Sequence, residues 1–110
     1  MRISLVVSPD GLLRRFEAEG HAGTKAAGSN IACAAVTLLL RTAGRLCAER
    51  GLAVEGGAGS PGEMRLVVSP ESATGSGWLQ GVTDFLLRGV SDLKEEFPRE
   101  IVLQVEMTEG

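Results

Sequence analysis

The residues of this chain best suited to chemistry are one histidine and one cysteine. His21 is the only histidine, and Cys33 follows it at the start of an apolar run. A thiol and an imidazole are a minimal pair of groups for a nucleophile that works near neutral pH. The pair therefore favours nucleophilic catalysis as the first hypothesis for this sequence.

The apolar run predicts a helix that carries the cysteine near its start. Residues 31 to 40 are apolar except for Thr37, and Gly51 is placed to end the helix. Ser29 or Asn30 is expected to cap it, because their side-chain oxygens accept hydrogen bonds from the free N–H groups of a first turn. With Asn30 as the cap, Cys33 would be the third helical residue.

That position would help the cysteine in two ways. The partial positive charge at a helix start favours the thiolate of Cys33 over the thiol. The backbone N–H groups of Ala32 and Cys33 would also be available to stabilise an oxyanion. The helix start alone therefore predicts a more reactive cysteine than one in a protein core.

The segment before the helix is expected to be a flexible loop. Gly20, Gly23 and Gly28 fall within nine residues, and such a glycine-rich segment can bend back toward the helix. The imidazole of His21 could then meet the sulfur of Cys33. The alternative is structural, because a lone cysteine usually packs as a small hydrophobe and a lone histidine is usually a hydrogen-bonded surface group.

The order of residues around this pair resembles a family signature. Gly20-His21-Ala22, then Gly28 and Ile31, then Cys33-Ala34-Ala35-Val36 is similar to the motif of the ribosomal-processing cysteine proteases, a bacterial family also called Prp. The resemblance implies a cytoplasmic endopeptidase with Cys33 as nucleophile and His21 as general base. It also implies the substrate: the short N-terminal extension of the twenty-seventh large-subunit ribosomal protein, cut after hydrophobic aromatic residues.

The chain departs from the family pattern at two positions. Asn30 stands where the family typically has an aspartate, three residues before the cysteine. A carboxylate there could orient the imidazole and stabilise its protonated form, whereas an amide carries no charge. Thr37 stands where a serine is common and keeps the hydroxyl. The alternative to a protease is therefore a peptide-binding module that kept the scaffold without catalysis.

Composition predicts a single domain that binds neither nucleic acid nor membrane. The 110 residues suffice for one hydrophobic core, so residues 1–110 are taken as one domain. The net charge is -3 and there is no tyrosine, which argues against a nucleic-acid interface. The apolar segment of residues 3–7 is too short for a signal peptide, and no apolar run reaches the length of a membrane span. A cytoplasmic location is expected.

Neither a metal nor another cofactor is expected. Cys33 and Cys47 are fourteen residues apart on the predicted helix, a separation of about 21 Å. Two thiols at that distance can neither form a disulfide nor bind one metal ion together with His21. Cys47 is interpreted as a packing residue.

Hydrophobic periodicity predicts an α+β fold, a mainly antiparallel sheet in the order ββαββαβ with two helices packed on it. Residues 3–7 and 12–19 predict one hairpin, residues 52–54 and 64–68 a second one around the glycine-rich segment 56–62, and residues 101–107 a closing strand. The second helix is predicted by an apolar stripe: Trp78, Val82, Phe85, Leu86, Val90, Leu93 and Phe97.

Two features of the helices suggest partners. Trp78, at the start of the second helix, either packs on the sheet or forms a wall of a substrate groove. The cysteine helix is apolar nearly all round for ten residues, more than one sheet face requires, so part of it is expected to meet a second subunit. The expected partners are thus a peptide substrate and a second copy in a homodimer.

Overall fold

A computed structural model describes residues 1–20, 27–57, 63–68 and 76–108 of the chain, without the side chains of residues 27–30 and 53–57 or of Ser76. His21 and Gly23 lie outside the described residues. The predicted order ββαββαβ is confirmed. The elements are β1 (Arg2–Val7), β2 (Leu13–Glu19), α1 (Ala27–Glu49), β3 (Ala53–Gly57), β4 (Glu63–Val68), α2 (Ser76–Glu96) and β5 (Val102–Met107).

The five strands form one mixed sheet in the order β3-β4-β2-β1-β5. The pairs β3–β4, β4–β2 and β2–β1 are antiparallel, whereas β1 and β5 are parallel. The α+β class and the mainly antiparallel sheet are confirmed, and the parallel pair is the addition. The parallel pair arises because α2 carries the chain across the molecule before β5 begins. The sequence did not predict it, since alternation within a strand carries no information on strand direction.

The core lies between the two helices and one face of the sheet. Leu5 of β1 pairs with Phe16 of β2, and both side chains are fully buried. Each helix contributes a stripe of buried side chains at three- and four-residue steps, as an amphipathic helix requires. The stripe of α1 is Ala32, Val36, Leu40, Ala43 and Cys47, and that of α2 is Leu79, Thr83, Leu86 and Val90.

The apolar stripe predicted for α2 needs one correction. Phe85 is 65% exposed, while Leu79 and Thr83 are buried in its place. The stripe is centred on Leu79, Leu86 and Val90, and Phe85 lies about 100° around the helix from Leu86. A large apolar residue on the flank of a stripe cannot be told from a core residue by spacing alone.

Two element boundaries differ from the predicted ones. Helix α1 begins at Ala27, so Ser29 and Asn30 lie inside its first turn and not before it. Alanine has the highest helix propensity, which allows the helix to start before the polar residues. Strand β3 extends through Gly56 and Gly57, which pair with Leu66 and Arg65. Pairing with β4 thus overrides the low strand propensity of glycine.

Helix α1 has more apolar surface than the sheet covers, as predicted. Ile31 is 59% exposed and Leu38 is 67% exposed. The segment Ile31–Glu49 is long and apolar enough to span a membrane by length and composition, with a mean hydropathy of 1.5. The helix nevertheless has a buried stripe on one side and the exposed Arg41 and Arg45 on the other. This pattern is typical of a helix packed on a sheet. The contact with a second subunit stays a prediction.

Candidate active site

Cys33 lies in the second turn of α1, on the side of the helix that borders the core. It is the seventh helical residue counted from Ala27. Its side chain is partly buried, between the fully buried positions of Ala32 and Val36 and the exposed position of Ala34. A thiol on such a border is accessible to a substrate while its helix is fixed by packing.

The sheet brings Cys33 to the end of the molecule where β2 finishes. Glu19, the last residue of β2, pairs with Glu63 at the start of β4. The opposite end of α1 leads through Leu52 into β3, whose Ala53 pairs with Val68 at the far end of β4. The early turns of α1, with Cys33, therefore lie toward the Glu19 end of the sheet.

Gly20 turns the chain out of the sheet directly before His21. Its φ is 93°, a left-handed conformation that glycine adopts without strain. A Cβ at Gly20 would lie 3.6 Å from the Cα of Met1, in ordinary contact. The backbone angle, rather than lack of space, thus favours glycine here. The described residues consequently place the end of β2 and the cysteine helix at the same end of the sheet, while the position of His21 itself lies outside them.

The predicted help from the helix start is wrong. The field of a helix terminus falls off within the first turn, and Cys33 lies beyond it. In a helix that begins at Ala27, the N–H groups of Ala32 and Cys33 donate to carbonyls four residues earlier, so neither is free for an oxyanion. A neighbouring group, and not the helix start, would have to activate this thiol.

Trp78 does not lie beside the thiol. The guanidinium carbon of Arg50 is 4.4 Å from the centroid of the Trp78 ring, within cation–π range. Arg50 directly follows α1 and is seventeen residues from Cys33, about 25 Å along the helix. A groove wall at Trp78 would be about seven residues of extended peptide away from the scissile bond. The interaction with Arg50 was not anticipated, since nothing local in the sequence indicates it.

Cys47 is fully buried in the same helix, and burial raises the pKa of its thiol above the ordinary value. Both cysteines are free thiols. A buried, protonated thiol does not act as a nucleophile, which agrees with a packing role. Within the described ranges, no three histidine, cysteine or acidic side chains are arranged to bind a metal ion.

The comparison with known protein families identifies the family of this chain. The family described as cysteine protease Prp matches residues 1–102, a range that contains both His21 and Cys33. The chain belongs to the Prp family. None of the curated proteins matches it.

Several solved structures share the fold. SMU.848 from Streptococcus mutans superposes with a TM-score of 0.76 at 20% identity, covering 97% of this chain and 94% of that one. The ribosomal processing protease Prp from S. aureus gives 0.78 at 15% identity with a substrate peptide bound, and 0.75 at 16% with a covalently linked product peptide. Each S. aureus comparison covers 96% of this chain and 98% of the other. At these identities the likeness shows a common fold.

Proposed function

We propose that this chain is a cysteine endopeptidase that removes the N-terminal extension of a ribosomal protein, the twenty-seventh of the large subunit. The observation that carries the proposal is the family match over residues 1–102, with a partly exposed Cys33 on a packed helix at the sheet end where β2 finishes. The S. aureus relatives are a ribosomal processing protease with substrate and product peptides, which supports a peptide substrate here. A cytoplasmic location belongs to the same proposal.

The proposed reaction is acyl transfer in two steps. The imidazole of His21 takes the proton of the Cys33 thiol, and the sulfur attacks the carbonyl carbon of the scissile peptide. The carbon–nitrogen bond breaks as His21 returns the proton to the leaving amine. Water then hydrolyses the thioester and frees Cys33.

In this proposal the imidazole of His21, and not the start of helix α1, activates the thiol of Cys33. Because Cys33 lies in the second turn of α1, the thiolate has to be stabilised by a positive or proton-accepting neighbour rather than by the start of the helix. The imidazole of His21 is the one side chain in the sequence whose ordinary pKa lies near neutral. Asn30 cannot supply the charge that the family's aspartate would bring to that imidazole.

The test is cleavage of a peptide that spans the extension and the first residues of the mature ribosomal protein from the same organism. The unaltered protein and Cys33→Ala are compared, with Cys47→Ala as the matched control that removes a thiol from the same helix. Cleavage at one bond by the unaltered protein and by Cys47→Ala, but not by Cys33→Ala, supports the proposal. Loss of triad-type nucleophiles typically lowers kcat by about 10⁴-fold or more.

Two results would contradict the proposal. Equal cleavage by Cys33→Ala would show that the thiol is not the nucleophile. Tight binding of the same peptide without cleavage, by a protein that is folded, would favour the non-catalytic peptide-binding module. A peptide with the same composition in scrambled order separates sequence recognition from general attraction of basic peptides to an acidic protein.

A further inference from the structure

The outer edge of β3 offers a place for an extended peptide. β3 is the first strand in the order β3-β4-β2-β1-β5, and within the part of the chain that the structure describes β4 is its one partner strand. An extended peptide can add to such an edge through main-chain hydrogen bonds. The backbone groups of β3 that point outward decide where such a peptide would bind.

The direction of these backbone groups follows from the hydrogen bonds at the other edge of the sheet. The N–H of Val102 donates to the carbonyl of Met1, so the odd-numbered residues of β1 face β5 and the even-numbered ones face β2. The registers carry this alternation across β2 and β4 to β3. Glu55 and Gly57 consequently face β4, and the N–H and C=O groups of Gly56 point outward.

A bulge keeps this edge short. The register of β3 against β4 shifts between Ala53 and Glu55, and bulges at sheet edges discourage pairing with a whole strand. Of the three residues of β3 after the bulge, Gly56 is the one that points outward. A glycine at an edge lets another backbone approach closely. The edge therefore suits a peptide that is also held at a second point better than it suits a complete strand.

Cys33 lies on the flank of α1 that is nearer to this edge. Helix α1 packs on β3 and β4, whereas α2 packs on β2 and β5. Leu39 marks the flank of α1 that faces α2, because a Cβ at Gly89 of α2 would lie 3.1 Å from Cδ1 of Leu39. Cys33 is about 120° around the helix from Leu39. Its side chain therefore faces away from α2 and toward the β3 side of the sheet.

The separation of Gly56 from Cys33 is within the reach of a short extended peptide. Gly44 follows Cys33 by eleven residues and lies about 20° around the helix from it, on the same side. A Cβ at Gly44 would lie 3.8 Å from Cδ1 of Leu66, and Leu66 is the register partner of Gly56. Eleven helical residues span about 16 Å, which corresponds to about five residues of extended peptide.

We propose that the N–H and C=O groups of Gly56 hold the peptide substrate in an extended conformation while its scissile bond lies at the thiol of Cys33. The proposal rests on the proposed peptidase function and adds the backbone contact that aligns the substrate. β3 runs toward the end of the sheet where Cys33 lies. A peptide bound at Gly56 by its N-terminal side would therefore run parallel to β3, and one bound by its C-terminal side antiparallel to it.

The first experiment measures binding of the peptide that spans the extension and the first mature residues to Cys33→Ala, which lacks the nucleophile. Gly56→Pro in this background removes one outward N–H and no hydrogen bond of the sheet, whereas Gly56→Ala keeps the N–H and is the matched control. We expect Gly56→Pro to raise the Kd about tenfold and Gly56→Ala to change it by less than about twofold. Equal Kd values for all three proteins, equal losses in both variants, or no binding to Cys33→Ala would overturn the proposal.

A scan of the peptide tests the same contact without changing β3. Each peptide carries one N-methyl group on a backbone amide roughly three to seven residues from the scissile bond, on either side. We expect the Kd for Cys33→Ala to rise about tenfold at one amide, which donates to the carbonyl of Gly56, and to stay unchanged at its neighbours. The side on which the loss falls gives the direction of the peptide. Equal binding of all these peptides would contradict the proposal.

Hydrogen exchange separates this proposal from the proposed function. The amide of Gly56 should become protected when the peptide is added to Cys33→Ala, while that of Gly57 bonds to β4 in both states and is the internal control. Cleavage by the unaltered protein with no protection at Gly56 would overturn this proposal and leave the peptidase intact. Protection at Gly56 without cleavage would support the contact and contradict the peptidase. Protection that rises with protein concentration, without peptide, would assign the edge to a second copy and overturn the proposal.

Discussion

The chemistry proposed for this molecule depends on the thiol of Cys33 and the imidazole of His21, and both were predicted from their types and spacing in the sequence. Cys33 is partly exposed and Cys47 is buried, which is consistent with the proposed nucleophile at Cys33 and with packing at Cys47. The start of α1 was placed wrongly, because polar residues such as Ser29 and Asn30 indicate a helix cap only when the residues before them do not extend the helix. The predicted start placed Cys33 at the helix terminus, whereas the structure has it in the second turn.

The residue-scale prediction concerns Asn30, which lies in the first turn of α1. That turn contains no acidic side chain. Asn30→Asp should raise the free energy of unfolding by about 0.3–1 kcal/mol at low ionic strength, because a negative charge is favoured near a helix start. Urea unfolding measures the change, and Thr42→Asp, in the middle of the same helix, is the control. A gain at Thr42 of the same size, or no loss of the gain in high salt, would contradict the explanation.

At the scale of elements, alternation and helical periodicity predicted all seven elements in their right order. The direction of β5 and the extension of β3 through Gly56 and Gly57 could not be predicted, since both depend on the neighbouring strand rather than on local sequence. The placement of Thr83 was also missed. A lone threonine in an apolar stripe shows its role only when its partner from another element is known.

Thr83 connects α2 to the start of β2. Its Oγ1 accepts a 2.9 Å hydrogen bond from the N–H of Leu13 and donates one of 2.7 Å to the carbonyl of Leu79. Thr83→Val leaves the buried Leu13 N–H without an acceptor and should lower the free energy of unfolding by about 1–3 kcal/mol. Thr42→Val, at an exposed site, is the control in the same urea titration. Equal effects at the two threonines would refute this role.

Two glycines of α2 should respond differently to alanine. A Cβ at Gly81 would meet nothing within 4 Å, whereas one at Gly89 would lie 3.1 Å from Cδ1 of Leu39 in α1. Gly81→Ala should therefore raise the free energy of unfolding by about 0.5–1 kcal/mol through helix propensity. Gly89→Ala should gain less or lose stability, because Leu39 has to move. Thermal unfolding that shows the larger gain at Gly89 would contradict the close approach of the helices.

At the scale of the whole molecule, one five-stranded sheet carries both helices on one face. The family match over residues 1–102 and the shared fold of relatives at 15–20% identity show that this layout tolerates wide sequence change. Because Cys47 is buried in the core, the free energy of unfolding of the whole molecule is expected to depend on pH.

The predicted pH dependence follows from the raised pKa of the Cys47 thiol. Below about pH 8.5, the ordinary thiol value, Cys47 is protonated in the folded and unfolded chains alike. Above it the unfolded chain gains free energy by ionising, so stability falls as pH rises through the folded pKa. Cys47→Ala should be less stable overall yet lack this part of the slope. The measurement is the free energy of unfolding in urea between pH 7 and 10 for the unaltered protein and Cys47→Ala. Equal slopes with pH in the two proteins would disprove this role of Cys47.

The central claim is that the imidazole of His21 activates the thiol of Cys33. The most direct measurement is the rate at which iodoacetamide alkylates Cys33, followed by mass spectrometry from pH 5 to 9 in the unaltered protein and in His21→Ala. We predict alkylation at pH 6 well above the rate for glutathione in the unaltered protein, and a fall to the glutathione rate in His21→Ala, with Cys47 unmodified in both. Identical rates in the two proteins across this pH range would contradict the claim.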